Sequence, residues 1–235
     1  MRIRSFIIAY ALVLAILLFA DRRPGSLQQD RYSHVVDLTD GQAATGPHSI
    51  AAESRTHIIA PGALIPGTWS AGQIPAERLV APLVVMDLNA ATKGSWISLD
   101  DIAAWESRHG MIPQGAVVAI RRGGPPDSPA DGPAADPETN HPPTNDPSTT
   151  PLPVTRDAAM FLVEARYTIG FAVETPVNLS SDRTLARQLA LHGSYVVEGA
   201  ARFTSLPATG SVVIVAPAKD KKPGEASVRV LAMVR

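Results

Sequence analysis

The feature that most constrains this chain is the run Ala81-Pro82-Leu83-Val84-Val85-Met86, closed by Asp87-Leu88. A continuous apolar run, without the in-out alternation of a half-solvated strand, needs cover on both faces. It reads as a buried strand. Gly115 to Ile120, Thr168 to Val173, Tyr195 to Gly199, Val212 to Ala216 and Val228 to Val234 read as further strands. Ser33 to Thr39, with its β-branched pair and closing Asp-x-Thr, reads as a first strand running into a loop, and Thr56 to Ala60 as a short strand or turn. Helices fall between them. Ser98 is an N-cap with Asp101 at N3, ahead of Ile102-Ala103-Ala104-Trp105, and Gly110 stops that helix. Thr155 caps a second helix, and Ser181 caps a third that Gly193 ends.

The chain has 235 residues, of which 45% are hydrophobic, enough for one core with or without a tail. Aromatics make up only 5%, so Ala, Val and Leu must fill that core. Zero cysteines excludes disulfides, thiolate catalysis and thiolate metal sites. A net charge of −1, with no basic stripe interleaved with aromatics, argues against nucleic acid as a partner.

Residues 1–20 look like a targeting or anchoring segment. Arg2 and Arg4 precede the unbroken apolar run Phe6 to Ala20. At ~1.5 Å per residue that run covers about 22 Å, short of a ~30 Å hydrocarbon core, which fits a signal peptide. Leu18-Phe19-Ala20 is a poor cleavage site, so an uncleaved membrane anchor stays open. Either way the expected location is outside the cytoplasm, exported to a periplasmic or extracellular space or tethered to a membrane. Residues 21–32 read as a linker and 33–235 as one domain. A Pro-rich insert at 124–153, almost without large apolar side chains, cannot repay its ordering entropy and reads as a disordered surface loop.

One stretch carries most of the functional information: Glu53-Ser54-Arg55-Thr56-His57-Ile58-Ile59-Ala60-Pro61-Gly62-Ala63. It resembles the His-x-Gly-Thr-His-x-Asp-x-Pro-x-His motif of the cyclase family, whose members include bacterial kynurenine formamidases. Thr56, His57 and Pro61 keep the motif's letters, whereas Glu53, Arg55, Ile59 and Ala63 replace its first His, Gly, Asp and last His. Ile74-Pro75-Ala76-Glu77-Arg78-Leu79-Val80 with the strand after it is similar to the family's second landmark. Glu174-Thr175-Pro176-Val177 stands where relatives carry Asp-Thr-Pro-Ser, and Leu206 to Pro217 and Ser227 to Ala232 are similar to its C-terminal landmarks.

The resemblance implies an α/β fold of the cyclase type, a swivelling β/β/α architecture with a barrel-like mixed sheet and flanking helices, assembled as dimers or tetramers. It also implies hydrolysis of an amide, formamide or lactone by water on zinc or manganese. Such a cation needs three or more His, Asp or Glu donors at ~2.0–2.3 Å with one position open. Of the implied ligands, His57 and Glu198 survive. Twelve residues before Glu198, where relatives keep a His followed by Lys or Arg, stand Ala186 and Arg187. The expected pocket therefore includes Thr56, Arg55, Ile59, Ala63, Glu174 and Ala186.

On this basis the first expectation is a protein that has lost metal catalysis, with no cofactor, acting by binding a small molecule or a partner protein. The alternative is an active metal hydrolase using Glu53, His57 and Glu198 with Zn or Mn. A structural, envelope-associated oligomer subunit is a third reading. Plainer roles exist for each residue: His57 as a hydrogen-bonded structural histidine, Glu198 paired with Arg187 or Arg202, and His192 favoured by a helix C-terminus. Core packing is the default for Trp69, Trp96 and Trp105.

Overall fold

The computed structural model describes residues 32–40, 56–88, 96–122, 151–219 and 225–235. The chain divides into two compact units, His34–Val234 and a smaller one of Met1–Ser33 with Arg235. The larger unit holds every described helix and strand. The apolar N-terminal run, Glu53, Arg55 and most of the Pro-rich insert lie outside the described residues. No helix among the described residues is long and apolar enough to cross a membrane.

The described strands are β1 (His34–Asp37), β2 (His57–Ile59), β3 (Val80–Leu88), β4 (Val117–Arg122), β5 (Gly170–Val173), β6 (Tyr195–Glu198), β7 (Ser211–Pro217) and β8 (Glu225–Val234). They form one mixed sheet in the order β1-β8-β2-β6-β5-β4-β3-β7, and a further β7–β8 pairing closes seven of them into a barrel. The long β8 is shared: Val228 to Met233 pair with β7, Glu225 to Ser227 with β2, and Leu231 to Val234 with β1. β3, β4, β5 and β6 run parallel to one another, which fits the both-face burial of their apolar runs.

Strand alternation sorts the core into two clusters. Inside the barrel lie Ile58, Leu83, Val117, Ala172, Val197 and Val230, with Phe203 and Tyr195 fully buried among them. The outer face carries Ile59, Val84, Val118, Phe171 and Val196, covered by α2 (Leu99–His109), α3 (Arg156–Ala165) and α4 (Arg183–Leu191). A short α1 (Pro61–Leu64) follows β2 directly, with Pro61 at its start, where the missing N–H costs nothing.

The helix starts follow the sequence reading with one correction. Ser98 and Asp101 form a reciprocal capping box, and Thr155 Oγ1 accepts from Ala158 N–H. The third helix is capped by Asp182 rather than Ser181: Asp182 Oδ1 accepts from both Thr184 and Leu185 N–H. Ser181 instead belongs to the 3-10 turn Leu179–Asp182. Within the stretch read as the insert, Leu152 is only 3% exposed and belongs to the helix-side core, so burial begins again before the Thr155 cap.

Candidate functional site

β2 and β6 are antiparallel, and their register sets His57 directly opposite Glu198. Opposed residues of an antiparallel pair project from the same face. Ile59 and Val196, two residues along each strand, belong to the helix-side cluster, so His57 and Glu198 also face outward, toward the helix layer. His57 and Glu198, far apart in sequence, are therefore brought side by side. His57 is half-buried and Glu198 is 8% exposed.

Backbone amide and hydroxyl groups fix this pair. Glu198 Oε2 accepts from Val177 N–H at 3.0 Å, tying the carboxylate to the loop after β5. Thr56 is fully buried, donates through Oγ1 to Gly199 carbonyl at 2.7 Å and accepts from Asp40 N–H at 2.8 Å. The residues flanking His57 and Glu198 are thus clamped to each other, and to the end of the β1 loop, by one hydroxyl. Farther along, Thr39 Oγ1 bonds both the carbonyl and the N–H of Val230, and Ala201 N–H donates to Leu38 carbonyl.

The other residues of the expected pocket lie in different surroundings. Ile59 is 5% exposed and Ala186, on α4, is 7% exposed, and both belong to the helix-side cluster. Ala63 is exposed on α1. Arg187 points to solvent. Glu174 is associated with Arg121: its charge helps hold the Arg121 proton, although the hydrogen bonds from Arg121 to Asp87 contribute more. Arg121 also donates to Phe203 carbonyl at 3.0 Å, so Asp87, Arg121 and Glu174 cap the barrel end where β3, β4 and β5 finish.

The plainer readings divide as well. Arg202 donates to Asp37 carbonyl at 2.7 Å, and His192 closes α4 as its C-cap. Trp105 is the buried tryptophan, its Nε1–H bonded to Val85 carbonyl at 2.9 Å, whereas Trp69 and Trp96 stay partly exposed. No residue signal could have announced Val177, because only its backbone N–H acts. Nor could spacing have paired Asp37 with Arg229, which meet at 3.2 Å only because β1 lies against β8.

Among the described residues, no group of three or more His, Cys, Asp or Glu converges as a cation would require. The described donors at the motif are one imidazole and one carboxylate, and the neighbouring Ile59 and Ala186 carry no lone pairs. On these residues alone the fit to zinc or manganese fails.

The family model "Cyclase", described as "Putative cyclase", matches residues 28–178. Among solved structures, isatin hydrolase A from Labrenzia aggregata, bound to benzyl benzoate, is 26% identical with a TM-score of 0.61, over 92% of this chain and 98% of that one. Isatin hydrolase A from Ralstonia solanacearum is 22% identical with a TM-score of 0.60, over 86% and 92%. A potential metal-dependent hydrolase with cyclase activity is 22% identical with a TM-score of 0.55, over 86% and 98%. A search of curated proteins gives no match.

Proposed function

The chain belongs to the cyclase family, with a metal-dependent-hydrolase-like fold, and from that premise we propose that it has given up metal catalysis and works by binding. Its ligand is a small molecule held beside His57 and Glu198, or a partner protein. One observation carries this reading: register delivers the two surviving donors side by side, yet the positions that should complete the set are Ile59 and Ala186. A sec-butyl group and a methyl group cannot coordinate, and hydrogen bonds around a site do not replace missing ligands. The Glu198 oxygen given to Val177 N–H gives the retained carboxylate a structural role that needs no cation.

The similarity to isatin hydrolases supports a second reading, in which Glu53 completes a reorganised set with His57 and Glu198 and the protein hydrolyses a cyclic amide, formamide or lactone. Elemental analysis of the full-length chain separates the two. Purified protein without stoichiometric zinc or manganese, and without hydrolysis of such substrates, is expected. Tightly held metal that disappears in His57→Ala would overturn the binding reading. Assembly as a dimer or tetramer, and export or membrane tethering directed by residues 1–20 with the domain outside the cytoplasm, complete the proposal, and are checked by light scattering and by cell fractionation.

A further inference from the structure

On the outer face of the barrel, beside the motif, β8 forms the floor of an open depression of about 510 Å³. Its walls come from Asp37 and Thr39 on one side and from Ala216 to Ala218 on the other, with Ser227, Val228 and Arg229 below. We propose that this depression is a binding site for small carboxylates with an apolar body.

Three features lead there. The volume lies within the few hundred to ~1,000 Å³ typical of small-molecule sites, and the lining has their usual make-up, apolar surface with a few polar groups. Ala216, Pro217 and Ala218 give exposed or partly exposed apolar surface for a ring or short chain, with the buried Val228 behind it. Arg229 supplies the charge. Its side chain is 68% exposed and meets Asp37 through one nitrogen at 3.2 Å. A guanidinium has five N–H donors in a planar fork that suits a carboxylate, so most remain for a ligand.

Asp37 acts as a built-in competitor for that arginine. Its Oδ1 accepts from Thr39 N–H at 3.0 Å and its Oδ2 from Arg229. Burial pushes the Asp37 carboxyl up, but these hydrogen bonds outweigh it, so the group stays ionised and keeps a hold on Arg229. An incoming carboxylate shares or takes over that hold. The site lies across β8 from the metal motif, since Ser227 is the residue opposite His57, and it stands whether or not His57 and Glu198 bind metal.

Calorimetric titration of the full-length chain with benzoate, with benzamide and acetate as controls, tests the assignment. Benzoate is expected to bind at one site, and benzamide and acetate each about tenfold more weakly or worse, because one lacks the charge and the other the apolar body. Arg229→Gln should weaken benzoate by about tenfold. Asp37→Asn keeps an oxygen for Thr39 N–H but removes the competing charge, so benzoate should bind several-fold more tightly, a gain that misfolding cannot mimic. No benzoate binding, equal affinity for benzamide, wild-type affinity in Arg229→Gln, or no gain in Asp37→Asn would overturn the proposal.

Discussion

Thr56→Val is the sharpest perturbation of the clamp beside the motif. The substitution nearly conserves volume but removes a fully buried hydroxyl that bonds Asp40 N–H at 2.8 Å and Gly199 carbonyl at 2.7 Å. A neutral hydrogen bond contributes about 1 kcal/mol net, but a buried group stripped of its partner costs about 1–3 kcal/mol. Two such groups set the expected loss at about 2–4 kcal/mol, large beside the roughly 5–15 kcal/mol that holds an ordinary domain together. Equilibrium urea unfolding reads this as a lower midpoint at an unchanged slope. Thr56→Ser keeps the hydroxyl and loses one methyl, about 1 kcal/mol. The account fails if Thr56→Val falls within about 0.5 kcal/mol of the parent, the range of a surface substitution. It fails equally if Thr56→Ser is as damaging as Thr56→Val.

Gly170→Ala should cost about 1–3 kcal/mol or prevent folding, because the added Cβ would lie 2.5 Å from the Tyr195 ring, which is buried and held by its hydroxyl on Arg78 carbonyl. The same unfolding assay checks it, and an unchanged midpoint would contradict the packing. Trp105→Phe should lose about 2–4 kcal/mol in that assay, part from stripping the Val85 carbonyl of the indole N–H and part from the space the smaller ring leaves in the core. The Glu106 carboxyl is held below its ordinary value chiefly by hydrogen bonds from Arg166, against burial, with Ile112 N–H adding to the effect. A depressed folded value means stability that is full above the unfolded carboxylate pKa of about 4.3 and is lost as pH falls through the lower folded value. Glu106→Gln should therefore lower stability at neutral pH and flatten the acid limb, seen in unfolding midpoints measured from pH 7 down to pH 3.

The strands were legible because burial on both faces writes itself as a continuous apolar run, as in Val80–Leu88 and Val117–Arg122. The helices were legible where a cap side chain closes a local bond, as Ser98 and Thr155 do. Asp182 was missed because Ser181 is an equally good capping residue one position earlier, and only the geometry of the preceding turn selects between them. Closure of the sheet was not legible from pattern at all. It depends on β8 being long enough to pair with β7 on one edge and with β1 and β2 in succession on the other, a property of register rather than of composition.

The site shows the same division. The sequence named His57 and Glu198, and register placed them together, but the pairing that does so is written in their neighbours. Ile58 and Val197, opposed to each other and buried inside the barrel, fix the register that keeps His57 opposite Glu198. A slip of one residue would turn every side chain of β2 to the other face, driving His57 into the apolar interior and Ile58 out of it. In a small metal domain the cation itself supplies the folding energy, and losing the ligands loses the fold. Here the apolar interior and the Thr56 clamp hold the two strands, contacts that call on no cation. That independence makes the lost-metal reading physically affordable: His57→Ala should leave the unfolding midpoint close to that of the parent chain, whereas a cation-built site would collapse with it.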